Sequence, residues 1–457
     1  KSSISGFERL GQIWSKPTEA KIRMTKDADP INVLVFGGGY DIKYEDDSYV
    51  PTSGAPAKGN AIYMINAHSG ELLWSTSVKA TDSKGGKKAT NMINSITGGI
   101  TVRDRDNDGL MDHLYAADLG GQVFRADFEN ARSAKFGFAE VGSFSSTGVT
   151  RLLNAAPATE AFKKYAYRFY ERPIVSFYRN EGISGQTVAN NGKLFALVNV
   201  ISGNRSAPLS TLRNGNEYAN RVYGIIDSDV TNADLYKTDF TAAVKDITEG
   251  ELVNLASTLG ATPSEKDKND AKVDMIKGSK HGWYYPLTRF DGYNNVRHNK
   301  GIGDSAVINN LLYTTVYNPD KQYGNVASCA AKISGGSERQ LYCLPYGICM
   351  DATSVSGTGG YIPAGQGIQE LTLGAYNKDN KGIKVLIGTT TITDRIEAAK
   401  RAGYGVDKDG KKKDSNIKDL YPGETIRPTE AGGDGAAAEF LFNERYTLQP
   451  RAWYERK

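Results

Sequence analysis

The feature that most constrains this chain is a short strand, turn, strand unit that recurs along it. Its clearest copy is Asn60-Ala61-Ile62-Tyr63-Met64-Ile65-Asn66-Ala67-His68-Ser69-Gly70-Glu71-Leu72-Leu73-Trp74. A second is His113-Leu114-Tyr115-Ala116-Ala117-Asp118-Leu119-Gly120-Gly121-Gln122-Val123-Phe124-Arg125, and weaker echoes surround Tyr223 and Tyr342. Tyr63 and Tyr115 stand about 52 residues apart and Tyr223 about two such steps further on, a spacing that suits the blades of a β-propeller. A small sheet cannot bury both of its faces alone, so such units must stack on one another. The length of 457 residues allows roughly seven to nine of them, and seven is the reading adopted, since insertions take up some of the chain.

Composition agrees. Gly is frequent at 50 residues, Tyr reaches 26 and 39% of residues are hydrophobic, while long helical periodicities are few, which favours an all-β chain of short strands. The expected architecture is a single β-propeller domain over 1–457, with insertions near 143–165, 244–275 and 394–435. Strands are expected at Leu10–Trp14, Glu19–Ile22 and Val33–Phe36, and helix is expected to be confined largely to the insertions near 150–165 and 244–275. Gly37-Gly38-Gly39 reads as a loop of close backbone approach, because no helix follows to make it a phosphate cradle.

Between the two clear copies runs Asp104-Arg105-Asp106-Asn107-Asp108-Gly109-Leu110-Met111-Asp112. Carboxylates at the first, third, fifth and ninth places, with glycine at the sixth, form the pattern that folds acids onto one hard cation. The expected ligands are Asp104, Asp106, Asp108, the Leu110 carbonyl and Asp112, and the expected ion is Ca²⁺. Mg²⁺ keeps its waters, and no His or Cys in the run invites zinc. The bidentate Glu that ends an EF-hand is replaced by Tyr115, and a strand follows instead of a helix, so this is an EF-hand-like loop between strands. Asp407-Lys408-Asp409-Gly410 matches only the first half of such a loop, and Lys411, Lys412 and Lys413 stand where a cation would sit, so it reads as solvated loop.

The net charge of +4 is too mild for a nucleic-acid partner, and no basic stripe is interleaved with aromatics. No apolar run is long enough for a membrane-spanning helix. The opening Lys1-Ser2-Ser3-Ile4-Ser5 lacks a signal-peptide core, so the chain is expected to be a mature form or a fragment. The three cysteines, Cys329, Cys343 and Cys349, suggest one disulfide and one free thiol. A hairpin turning at Gly335-Gly336 would set Cys329 opposite Cys343, which is the pairing favoured, with Cys349 a rival for either partner. A disulfide and a weakened calcium loop together point to an extracytoplasmic setting.

Catalytic constellations are thin. His68, His113, His281 and His298 are scattered without metal spacing, and His113 is expected to be a packed or exposed histidine, not a ligand, since calcium prefers oxygen. No Gly-x-Ser-x-Gly elbow occurs. The expectation is therefore a protein that is not an enzyme.

Taken together, Gly37-Gly38-Gly39-Tyr40-Asp41, the block Gly59 to Ile65, and the run from Asp104 through Arg125 resemble the PilC/PilY-type proteins of bacterial type IV pili. Ser202-Gly203-Asn204-Arg205 with Pro208, Gly282-Trp283-Tyr284, Tyr313-Thr314-Thr315 and Trp453 extend the likeness in order. The resemblance implies the family's C-terminal domain, a modified seven-bladed propeller with one EF-hand-like calcium loop. It implies a surface-exposed protein at or near the pilus tip, serving pilus assembly, calcium-influenced extension and retraction, twitching motility and adhesion. The partners implied are minor pilins of the tip complex and host-cell or abiotic surfaces. No Arg-Gly-Asp tripeptide is present, so integrin binding of that kind is not implied. Two alternatives compete: a quinoprotein dehydrogenase propeller holding pyrroloquinoline quinone, and a binding propeller outside pili. The quinoprotein reading suffers from the want of adjacent cysteines and from calcium ligands gathered in one loop.

Overall fold

The computed structural model describes residues 5–387 except 47, 80–83, 86–87, 135–138, 156–165, 211–218, 238, 261–262, 288–298, 309, 323–333, 351–360 and 376–382. Where the sequence suggests one domain, internal packing divides the chain into two compact units, Lys1–Gly301 with Pro345–Gly347, and Ile302–Leu344 with Ile348–Lys457. Each is described by itself.

Among its described residues the first unit holds three sheets, antiparallel but for one short strand in the third. β1 (Thr18–Ile22), β2 (Ile31–Gly37), β3 (Ala61–Asn66) and β4 (Leu72–Ser77) form a meander in that order, and β5 (Thr101–Arg103), β6 (His113–Ala117), β7 (Gln122–Glu129) and β8 (Ser145–Asn154) form the next. In the third, β9 (Ile174–Arg179), β10 (Leu194–Ile201) and β11 (Arg221–Asp227) lead to β13 (Gly282–Pro286), beside which β12 (Val253–Asn254) pairs in parallel. The all-β class is borne out. The strands at 19–22 and 33–36 lie where expected, whereas of Leu10–Trp14 only Gln12 forms a bridge, to Tyr40.

Burial explains the stacking. Ile22, Val33, Val35, Ile62, Met64 and Trp74 of the first sheet meet Leu114, Ala116, Phe124, Ala126 and Phe128 of the second. On the second sheet's other face, Tyr115, Ala117, Val123, Leu152 and Leu153 meet Val175, Ala196, Val198, Tyr223 and Ile225 of the third. The middle sheet is thus covered on both faces, and β6 has no exposed residue at all. Each large apolar side chain so buried contributes about 1.5–3 kcal/mol. This face-to-face stacking of four- and five-stranded sheets is propeller-like.

The first strands of the sheets are latched in sequence. The Thr18 hydroxyl, on the opening residue of β1, donates to the Ile100 carbonyl just before β5, at 2.6 Å. Thr101, which opens β5, donates likewise to the Pro173 carbonyl just before β9. At the equivalent place in β9 stands Ile174, which has no hydroxyl with which to continue the series. These openings lie roughly seventy to eighty residues apart, so the first three sheets follow one another at this wider spacing and not at the fifty expected. The shorter period came from matching hairpins that occupy different places, β3–β4 at the end of one sheet and β6–β7 in the middle of the next. They look alike because both are Asx turns closed by a glycine in the left-handed region. Asn66 Oδ1 accepts from the His68 and Ser69 N–H groups and Gly70 has φ 74°; Asp118 Oδ1 accepts from those of Gly120 and Gln122 and Gly121 has φ 81°.

The glycine loop also has a packing cause. A Cβ on Gly38 would lie 2.6 Å from the Gly59 carbonyl oxygen and one on Gly39, at φ +95°, 2.4 Å from that of Gln12. The segment that follows, Ile42–Glu45, is a single 3-10 turn.

The insertion expected at 143–165 needs correction. Ser145–Asn154 is the ten-residue strand β8; its serines, threonines and valine suit a half-covered outer strand, and 156–165 lie outside the described residues. In the 244–275 region helices do occur: α1 (Leu255–Leu259) is capped by Asn254, and α2 (Glu265–Lys277) starts on a Ser264/Asp267 capping box and ends at left-handed Gly278. Lys300–Gly301 (β14) closes this unit's run of strands.

In the second unit β15 (Ala306–Ile308), β16 (Leu311–Gln322), β17 (Ser334–Cys343) and β18 (Tyr361–Gln366) pair antiparallel in order, and β19 (Leu371–Ala375) pairs with β20 (Ile383–Ile387). The favoured disulfide is overturned here: Cys343 bonds Cys349, with Cα atoms 4.9 Å apart. Gly335 and Gly336 lie within β17 instead of at a turn, so Cys343 faces Leu311 across the ladder. Cys329, Trp453, the insertion at 394–435 and Asp407–Gly410 lie outside the described residues, and the number of blades reaches beyond them too.

Candidate metal centre

The loop from Asp104 to Asp112 joins β5 to β6, whose pairing sets Arg103 against His113 and so brings the loop's ends together. Asp104 organises its first half, one carboxylate oxygen accepting from the Asn107 N–H at 2.6 Å and the other from Gly109 at 2.8 Å. Asp106 accepts from the Asp108 N–H at 3.2 Å, and Asp108 from that of Leu110 at 2.9 Å. Asn107 and Gly109 adopt φ of 62° and 88°. The space beside Gly109 is open, so the glycine is required by backbone conformation, not by crowding.

This winding brings together carboxylate oxygens of Asp104, Asp106 and Asp108, all within 4.8 Å of one another. Asp112 is placed differently. It is buried, one of its carboxylate oxygens accepts from the Arg105 N–H at 2.7 Å, and its backbone is fixed by Arg103 and Phe128. Three of the four expected acids therefore share one cluster and Asp112 stands outside it, at the base of the loop. The Leu110 side chain is buried, which anchors the backbone whose carbonyl is the expected fifth ligand.

The electrostatics suit a cation. Burial pushes the Asp112 carboxyl up to about 7, with the negative charges of Asp106 and Asp108 adding to the shift and the Arg105 N–H opposing it. Asp108 is raised by burial first, and by Asp106 and Asp104 as well. The clustered donors are all carboxylate oxygens, which fits a hard ion such as Ca²⁺ and not zinc.

Behind the loop lies a network of charged groups that the sequence reading missed. Arg125, with 0% of its surface exposed, donates to Asp127 through Nε and Nη2 and to both oxygens of Asp227 on the next sheet through Nη1, at 2.6 and 2.7 Å. His113 Nδ1 lies 2.8 Å from Asp127 Oδ1, so this histidine is packed, as expected. Burial holds its pKa below the ordinary value. The neutral imidazole then donates from Nδ1 to the carboxylate. Tyr115 adds a longer bond to Asp227 at 3.3 Å. Tyr236 stacks on His113 with an interplanar angle of 7°, and the Arg105 guanidinium lies 4.8 Å from the Tyr236 ring centre. One signal was present in the sequence: Arg125 and Asp127 alternate with the apolar Phe124, Ala126 and Phe128 in the middle of a strand, where charges must be paired to be buried.

No family model matches this chain, and no curated protein does. Among solved structures it is similar to the C-terminal domain of Pseudomonas aeruginosa PilY1, with 16% identity over 84% of this chain and 72% of that one, at a TM-score of 0.49. It is also similar to a quinohemoprotein alcohol dehydrogenase from Pseudomonas putida HK5, with 11% identity over 83% of this chain and 43% of that one, at a TM-score of 0.27.

Proposed function

We propose that this chain is a calcium-binding, propeller-type domain of a type IV pilus protein of the PilC/PilY kind, and that it works by binding rather than by catalysis. The observation that carries this reading is the Asp104–Asp112 loop. Its left-handed turns at Asn107 and Gly109 gather three carboxylates directly ahead of the block, through Arg125, in which the sequence resemblance is most specific. Asp104, Asp106, Asp108 and the Leu110 carbonyl would hold the ion, and Asp112, which stands outside the three-acid cluster, would complete the set from the base of the loop with the carboxylate oxygen that Arg105 does not engage. Calcium supplies positive charge that offsets the mutual repulsion of the carboxylates and stiffens the connection between β5 and β6.

The role follows from position. A loop set into a doubly covered sheet changes the local surface without unfolding the stack, which suits a protein whose contacts with minor pilins are tuned by calcium. In this reading the domain lies outside the cytoplasm, at the pilus tip or cell surface, and serves assembly, extension against retraction, twitching and adhesion to host-cell or abiotic surfaces. The Cys343–Cys349 disulfide supports an oxidising compartment. No helix among the described residues is long and apolar enough to cross a membrane. The quinoprotein alternative is disfavoured because Cys343 and Cys349 are six residues apart, not adjacent, and the acids come from one loop.

The test is genetic. Deleting the gene in its native host should abolish or sharply reduce surface pili and twitching. Complementation with the parent sequence should restore both, and with Asp104→Ala should restore the protein's abundance but not normal twitching. Normal piliation and twitching in the deletion strain would refute the pilus assignment and leave a binding propeller outside pili.

A further inference from the structure

The calcium reading leaves open how occupancy of a small loop reaches a partner, and the contacts of Arg105 and Tyr236 answer it. Arg105 lies between Asp104 and Asp106, two of the clustered acids, so fixing both carboxylates on one ion fixes the direction of the side chain between them. Its guanidinium lies over the Tyr236 ring at 4.8 Å, and Nη1 donates to the Val230 carbonyl at 3.3 Å. Tyr236 also stacks on His113, the residue after Asp112. One ring therefore touches the chain just inside the loop's start and just past its end.

The segment carrying Tyr236 is fastened at its other side. Val230 is fully buried in the core between the second and third sheets, and Asp229 Oδ2 accepts from the Val244 N–H at 2.7 Å. Between these anchors Asn232, Ala233 and Asp234 are exposed. The Tyr236 hydroxyl is buried and makes no hydrogen bond among the described residues, so the ring, not the hydroxyl, makes the link.

Resting on the calcium-binding reading, we infer that Arg105 and Tyr236 are positioning residues that couple the Asp104–Asp112 loop to the segment 229–237, so that calcium orders the exposed Asn232–Asp234 surface as well as its own loop. Coupling of this kind is reciprocal: a segment ordered by calcium must in turn favour calcium binding.

Hydrogen exchange followed by mass spectrometry, with calorimetric titration of Ca²⁺ into chelator-treated protein, tests this. In the parent chain calcium should slow exchange at least about fivefold in peptides covering 229–237 as well as 104–112. In Arg105→Ala and Tyr236→Ala the slowing should be lost from 229–237, and calcium should bind about fivefold or more weakly. Tyr236→Phe, which keeps the ring, should behave like the parent in both assays. A chain that binds calcium yet slows only at 104–112 overturns the coupling alone, as does a Tyr236→Phe variant that matches Tyr236→Ala. A parent chain that takes up no calcium removes the reading beneath it, and the coupling with it.

Discussion

Replacing Arg125 with methionine should be among the most damaging single changes in the first unit. The guanidinium is wholly buried and joins Asp127 on its own strand to Asp227 on the neighbouring sheet. Without it two carboxylates, 3% and 0% exposed, remain in the interior with their compensating charge gone. Breaking a buried pair in this way costs about 3–5 kcal/mol, and the methionine recovers little of it, because its apolar bulk lies against charged oxygens. For a unit of this size that loss lowers Tm by roughly 5–8 °C. Adding Asp227→Leu should cost clearly less than its own single effect, since it removes one of the orphaned charges, and a double-mutant cycle should show coupling above about 1 kcal/mol. Guanidinium unfolding of the four proteins supplies the numbers. An Arg125→Met protein within about 1 kcal/mol of the parent, or strictly additive effects, would refute the view that this network ties the two sheets together.

Burial pushes Asp118 up to about 6 from 3.8, against four bonds donated by Gly120, Gln122 and Asn94. Its folded form therefore binds a proton more tightly than its unfolded form. The resulting stability is fully present below the unfolded value and lost as pH rises between about 4 and about 6, with a slope near 1.4 kcal/mol per pH unit. Comparing Asp118→Asn with the parent by thermal melts should show that dependence in the parent only; parallel pH profiles would contradict it. Thr101→Val removes the donor to the Pro173 carbonyl and should cost about 1–2 kcal/mol, whereas Ile174→Thr should be far milder; equal effects in chemical unfolding would undo the latch interpretation. Non-reducing peptide mapping should recover Cys343 linked to Cys349, and a Cys329–Cys343 peptide would contradict the pairing.

What could be read in advance depended on how local the physics was. The tight winding of Asp104 to Gly109 was legible because Asp, Asn and Gly at these places favour local side-chain-to-backbone turns, and the turn conformations agree with it. The place of Asp112 was not, because its separation from the other three acids depends on how β6 sits in the sheet. The strand-rich class was legible from short apolar runs between turn residues. The blade period was not: Asn66-Ala67-His68-Ser69-Gly70 and Asp118-Leu119-Gly120-Gly121 share turn chemistry, and turn chemistry says nothing about which strand of a sheet a hairpin joins. The disulfide failed for a related reason, since two glycines suggested a turn where the ladder runs on through Gly336. Tyr236 was invisible because its partners, Arg105 and His113, are far from it in sequence.

The proposed function stands on calcium binding by the Asp104–Asp112 loop. Calorimetric titration of Ca²⁺ into chelator-treated protein tests it most directly, with Asp104→Ala and Asp112→Ala as controls. One site is expected, with Kd roughly micromolar to sub-millimolar, accompanied at a hundredfold excess over Kd by about 2.7 kcal/mol of added stability, and the binding heat should be lost in both variants. The variants should melt only modestly lower than the cation-free parent, because the stacked sheets do not depend on this loop. A parent protein that gives no binding heat and no calcium-dependent rise in Tm, or an Asp104→Ala protein that binds calcium as tightly as the parent, would contradict it.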